Sequence, residues 1–205
     1  MEANIKSIAV GKSKTYGEGD NQFQSGYKKD QFFNFVDVGE LGLDGDTQVD
    51  KRYHGGIDKA IHFGSETHFK NFTMDRQAIG SNIFIDTLDE SDIHVGDIYS
   101  VGDIEIEVTQ PRQPCWKIGA LFGKETSRYI IKNYATGWYV KVLQAGMIDI
   151  NDSLVLQKRV SEFSIKQLSI YLHIPPKDKE IIDAVLNTEP LADAYKRSFE
   201  KAIDK

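Results

Sequence analysis

Cys115 is the only cysteine in 205 residues, so it cannot close an internal disulfide. It sits in the stretch QPRQPCWK, residues 110–117, between Arg112 and Lys117 and with no carboxylate in the segment. Two neighbouring cations favour thiolate over thiol and also draw an anionic ligand. That makes Cys115 a candidate nucleophile or soft metal ligand. Free cysteine is also a common buried, inert residue, and this second reading stays open. It fits poorly with flanks of Gln, Arg, Gln and Lys, which are weak material for an apolar pocket. Pro111 and Pro114 fix two φ angles and withhold two N–H donors, so the segment is expected to leave a sheet as a stiff loop that aims its side chains.

A second group of candidates lies in KRYHGGIDKAIHFG, residues 51–64. Gly55 and Gly56 can take backbone angles closed to other residues, letting successive N–H groups converge on an anion, with Lys51, Arg52, His54 and Lys59 close in sequence. The plainer alternative is a tight turn before a strand, DKAIHF. Just upstream, residues 37–50 hold five acids, no base and three glycines. A calcium loop counted from Asp44 would need Gly at its sixth position and Glu at its twelfth; these are Val49 and Gly55, so calcium is rejected. Asp46 and Asp50 read as turn caps. His62 and His68 have no spacing with Cys115 that would make a tetrahedral zinc set, and are expected on the surface of a strand and a helix. Trp116 and Trp138 read as core or pocket wall.

The chain has 25 basic and 31 acidic residues, a net charge of −6, which argues against general nucleic-acid binding. A local basic pocket within that acidic whole would suit one small anion. No apolar run approaches the roughly 20 residues of a membrane span. The start, MEANIKSIAV, lacks the basic and apolar regions of a secretory signal, and with the lone cysteine this points to a reducing cytoplasm. A chain of this length is expected to bury roughly 70% of its unfolded surface without a disulfide or metal.

The elements that must position these residues are mostly short strands. Residues 4–10 and 32–38 are rich in β-branched and aromatic side chains, with a Gly-containing loop between. Residues 65–74 read as a helix capped by Ser65, with Phe69 and Phe72 in the core. Residues 82–87 read as a strand. The alternation of Ile104, Ile106 and Val108 with Glu105 and Glu107 is the cleanest period-two signal in the chain, and that strand leads directly into the thiol loop. Residues 124–134 read as a helix, and residues 138–143 and 153–158 as strands. Six to eight strands and two helices predict a closed or nearly closed barrel, an α+β chain that is mostly β.

After about Val160 the pattern turns helical. Residues 164–172 open with a capping-box sequence, residues 178–187 repeat the apolar stripe, and Pro190 is expected to begin a third helix through Leu191, Tyr195, Phe199 and Ala202. With 8 acids against 7 bases over residues 161–205, this unit lacks a DNA-reading face. It reads as a packing or homodimerisation module. The expected division is a barrel domain, residues 1–160, and a three-helix domain, residues 161–205.

Several segments together resemble one family. GLDGDTQVD, then HGGIDKAIH, GSN at 80–82, VGD at 95–97 and QPRQPCWK occur in that order, with GWY at 137–139 behind. The chain thus resembles MOSC-domain proteins of the YiiM-like branch, over most of residues 8–158 and through a similar helical tail. The resemblance implies a β barrel that binds the molybdenum cofactor, with Cys115 as metal ligand and catalytic residue. A soft thiolate is a sensible donor to such a metal. It also implies a phosphorylated pterin for His54, Gly55, Gly56, Lys59, Arg112 and Lys117 to hold, with Asn82 on a pterin edge or terminal oxo group. The implied reaction is reduction of N-hydroxylated bases or amidoximes, as in detoxification, with electrons from a separate flavin or iron-sulfur reductase. Where the family usually has Gly-Glu-Asn, this chain has Gly80-Ser81-Asn82, which puts the contact of that carboxylate in doubt. Two other functions stay open: a sulfur carrier using a Cys115 persulfide, and a non-enzymatic binder of a phosphorylated ligand.

Overall fold

A computed structural model describes residues 1–49, 54–70 and 72–204. The roles expected of Asp50, Lys51 and Arg52 fall outside these residues. In chain order the strands are β1 (Glu2–Val10), β2 (Lys14–Tyr16), β3 (Phe23–Ser25), β4 (Gln31–Phe33), β5 (Phe35–Gly39), β6 (Gly42–Leu43) and β7 (Ile61–Ser65). They continue as β8 (Ile83–Ile85), β9 (Ile98–Val101), β10 (Ile104–Pro111), β11 (Trp138–Gln144), β12 (Gly146–Asp149) and β13 (Ser153–Lys158). The helices are α1 (Lys117–Phe122), α2 (Lys124–Asn133), α3 (Ile165–Tyr171), α4 (Lys179–Leu186) and α5 (Asp193–Ile203).

Seven strands pair in the order β13-β9-β10-β11-β7-β8-β1, and β1 pairs back onto β13. The barrel expected from the strand count is therefore closed, which removes the unpaired sheet edges that an open sheet would expose. Its pairs are antiparallel except β7 with β8. Ile8, Ile61, Phe63, Ile83, Ile104, Ile106, Val108 and Trp138 fill it, and Phe63 stacks on Trp138 at 6.1 Å between ring centroids. No helix among the described residues is long and apolar enough to cross a membrane.

Several elements differ from the sequence expectation. The strand expected over residues 32–38 breaks at Asn34, whose carbonyl accepts from Ile150 N at 2.6 Å, and its second half joins a separate β12-β5-β6 sheet. The loop before it contains the β2–β3 hairpin. Ser65 caps no helix. It ends β7, paired with Ile85, and its hydroxyl accepts from Thr67 N at 3.2 Å, so the chain turns into a short 3₁₀ segment over Glu66–Lys70. The strand expected from Asp58 starts at Ile61, after a 3₁₀ turn at Ile57–Lys59. The third tail helix starts at Asp193 and not at Pro190: Ala192 is extended, with ψ 139°, and its N–H donates to Thr109 O at 3.1 Å.

Pro111 is still strand and pairs with Trp138, so the stiff loop begins later than expected. More consequential is an irregularity just before it. Val108 pairs with Val140, but Gln110 pairs with Tyr139, leaving Thr109 as an extra residue in β10. Such a bulge reverses the alternation of the strand beyond it. Gln110 therefore leaves the face that Ile106 and Val108 give to the core and joins the outward row of Tyr139 on β11 and His62 on β7. Arg112, two residues on, follows the same parity.

The tail helices pack on that side. Ser164 caps α3 by accepting from Gln167 N at 3.1 Å, and Asp178 caps α4 by accepting from Glu180 N at 2.9 Å. Leu168, Val185, Leu191, Tyr195 and Phe199 form a second apolar cluster around Val95, whereas Ile165 of α3 belongs to the barrel core. Backbone bonds from Ile165 N to Ile93 O and from Lys166 N to Glu90 O fasten α3 to the barrel.

Candidate functional site

The outward row of Gln110, Tyr139 and His62 forms the floor of two adjoining cavities. An inner one of about 70 Å³ is lined by Tyr27, Lys29, Asp46, Asn82 and Gly55 among others. An outer cleft of about 640 Å³ takes in Cys115, Trp116, Gln110 and, from α5, Arg197 and Lys201. His54, Lys59, Arg112, Lys117 and Tyr139 line both. The outer volume is that of an ordinary small-molecule or cofactor site.

Two buried cations behave differently. Lys29 Nζ lies 2.7 and 2.8 Å from the two Asp46 oxygens, and Asp46 also accepts from Gly11 N at 2.8 Å. Burial lowers the Lys29 pKa and Asp46 works against it, so this charge is already matched. Asp46 is more than the turn cap expected. Arg112 is 3% exposed, and no carboxylate among the described residues pairs with it. Its backbone N–H bonds Gly137 O at 3.1 Å, its guanidinium lies 4.8 Å from the Tyr27 ring centre, and Nη1 has no hydrogen-bond partner. Cation–π contact and phenolic oxygens offset part of the desolvation cost, which for an unpaired buried ion is several kcal/mol. Gln110 Oε1, also buried, is likewise without a partner.

His62 is buried, not on the strand surface as expected. Nδ1 lies 3.1 Å from Gly80 O and Nε2 2.9 Å from Thr136 O. A neutral ring can donate to only one of them. Burial, and then the Arg112 guanidinium, push its pKa down to about 3. Burial also pushes the Tyr27 hydroxyl up to about 12, against the pull of Arg112. His68 is not an exposed helix residue either: Nε2 is 2.6 Å from Glu90 Oε2, while Glu90 Oε1 accepts from Gly137 N at 2.7 Å. Gly137 itself has φ +73°, and a Cβ there would stand 2.0 Å from Phe63 O. Only glycine lets β11 start this close to β7.

Most of the sequence candidates meet here, in unequal roles. Cys115 is half-buried in the outer cleft. Lys117 reaches it with Nζ 3.3 Å from Gln24 O. Lys59 is set by the turn at Ile57–Lys59, which Thr109 Oγ1 fastens through Asp58 O at 2.6 Å; burial, set against Asp58 and assisted by Arg197, lowers its pKa. Gly55 and Gly56 have φ of +80° and +86°, as a glycine pair was expected to allow, but only Gly55 lines a cavity. Asn82 reaches the inner wall with its amide engaged: Nδ2 donates to Ala9 O at 3.2 Å and Oδ1 accepts from His62 N at 3.2 Å. It holds β8 to its neighbours. Ser81, where the family usually has Glu, lines neither cavity; its Oγ is buried without a hydrogen-bond partner, next to Gly64. Trp116 is 65% exposed, meets Phe23 edge-on at 4.8 Å and lines the outer cleft, a pocket wall, whereas Trp138 is core.

Sequence reasoning missed Lys29, Tyr27, Tyr139, Arg197 and Lys201. Arg197 and Lys201 carried a usable signal, an i,i+4 spacing on the helix face opposite Tyr195 and Phe199. No group of three or more His, Cys, Asp or Glu side chains suited to a metal occurs among the described residues.

The MOSC domain profile matches residues 50–155. The chain is 28% identical over 204 residues to protein YiiM of Escherichia coli strain K12, covering 95% of this chain and 90% of that protein. A protein named reductase from Gibberella moniliformis is 28% identical over 117 residues, 52% of this chain and 21% of its own length. The crystal structure of YiiM from Geobacillus stearothermophilus superposes with a TM-score of 0.77 at 26% identity, covering 98% of this chain and 99% of that one.

Proposed function

Because this chain belongs to the MOSC domain family, on its YiiM-like branch and so in a family associated with the molybdenum cofactor, we propose that its outer cleft binds that cofactor and that the protein reduces N-hydroxylated compounds. The observation that carries this reading is Arg112, buried without a carboxylate partner and with Nη1 unbonded, in the same cleft as the lone thiol. The donor set fits the group. Cys115 offers one soft thiolate, Arg112, Lys59 and Lys117 offer charge to a phosphate, and the Gln110 amide offers a buried acceptor or donor to a ring edge. When bound, the cofactor supplies a two-electron couple and an acceptor for oxygen. Tyr139 and Gln110 floor the site, and the Lys29–Asp46 pair keeps the inner wall rigid without competing for the ligand's anion. The net change, R–NHOH plus two electrons and two protons giving R–NH₂ and water, needs an external electron donor. A separate flavin or iron-sulfur reductase fills that part.

The test is elemental analysis of protein from a host that makes the cofactor, together with reduction of a hydroxylaminopurine. Wild type is expected to hold stoichiometric molybdenum, and Cys115→Ser to lose about 100-fold or more of the reductase rate. Wild type without molybdenum ends this reading. A gain of one sulfur on Cys115 after incubation with a desulfurase would assign a carrier role instead.

A further inference from the structure

The tail helices do more than pack. Arg197 and Lys201 of α5 line the cleft that holds Cys115, as does Lys59, and no acidic side chain among the described residues lines it. This occurs in a chain whose acids outnumber its bases, 31 to 25. Arg197 follows Asp193 by four residues and Lys201 lies in the last turn, placements a helix favours, so the subsite rests on the lining of the cleft and not on helix stability. Neither residue has an ion-pair partner among the described residues. Arg197 and Lys201 also border the neighbouring groove, where Glu200 and Asp204 stand with Ile182 and Leu186, but neither acid pairs with them and neither lines the cleft. The same cleft holds the partnerless, nine-tenths buried Nη1 of Arg112. Arg197 is close enough to help depress the Lys59 pKa, a repulsion that a bound anion would relieve.

We propose that Arg197 and Lys201, with Lys59 of the same cleft, form an anion subsite that takes a phosphoryl group of the bound ligand, so that α5 is part of the binding site. This rests on the reading of the cleft as a ligand site. Fixed cations around a concave wall focus the field and hold a multiply charged oxyanion far better than scattered surface lysines do.

Titration calorimetry of the full-length protein, without cofactor, with inorganic pyrophosphate tests it. Wild type is expected to bind, and Arg197→Ala/Lys201→Ala to bind at least about tenfold more weakly. Lys124→Ala/Lys132→Ala, which removes the same charge from exposed positions on α2, is expected to match wild type. Three results would overturn the subsite: no binding by wild type, binding by the α5 variant within twofold of wild type, or an equal loss in the α2 control. The readout is independent of metal. Pyrophosphate binding that depends on Arg197 in a protein that never takes up molybdenum keeps the subsite and removes the enzyme reading; molybdenum uptake with unchanged pyrophosphate binding does the reverse.

Discussion

Arg112 is where stability and function separate. A guanidinium buried without a carboxylate is costly, and replacing a buried ion by an apolar side chain of similar volume is often neutral or stabilising. Arg112→Met is therefore expected to keep or raise the thermal midpoint, by a few degrees at most, while pyrophosphate affinity falls at least about tenfold. Calorimetry and thermal melts on one preparation check both halves; a variant that melts much lower with binding intact refutes the assignment. His62 sets a pH dependence of known sign. Its folded pKa, about 3, lies below the ordinary 6.5, so between those values the unfolded chain holds the extra proton. Its contribution is present above pH 6.5 and drains as pH falls, roughly 2 kcal/mol by pH 5. His68 works in the opposite sense: burial would lower its pKa, but the Glu90 bond outweighs that and raises it, so its contribution is lost as pH rises. Urea titrations at pH 7 and 5 should show the acid slope reduced in His62→Gln. Cys115 and Arg112 were legible as site residues because type and neighbours alone mark them. Lys29 and Asp46 were not, since they are 17 residues apart and become a pair only when two loops meet.

At the scale of elements, the alternation in Ile104 to Val108 was readable and the bulge after it was not. A run of Thr, Gln and Pro carries no mark of an extra residue; the extra residue exists only relative to β11. Yet that register shift is what turns Gln110 and Arg112 from the core to the cleft. The same limit explains the 65–74 segment. Ser65 suits a helix cap by type, but β7 has a parallel partner in β8 that holds Ser65 in the sheet. Deleting Thr109 is expected to restore the parity of the strand and drive Gln110 and Arg112 into apolar packing. Loss of soluble folded protein on expression, judged by circular dichroism and gel filtration, is the expected outcome; a folded deletion with normal pyrophosphate binding would contradict the register argument.

Over the whole molecule, the barrel and the helical tail were both foreseen, but the tail's contact with the cleft was not, because contacts across some eighty residues leave no local pattern. The two parts share material: Val95 of the barrel side sits in the helical cluster, and Ile165 of α3 sits in the barrel core. We expect a chain stopped at Val160 to expose both seams and aggregate, measurable as loss from the soluble fraction. Recovery of a monomeric, pyrophosphate-binding barrel would show the parts to be independent. Because the α5 wall follows Cys115 by that length of chain, the thiol leaves the ribosome long before its cleft is complete. If the cleft takes a ligand as proposed, Arg197 and Lys201 can help to hold it only once α5 has been made and has folded back onto the barrel.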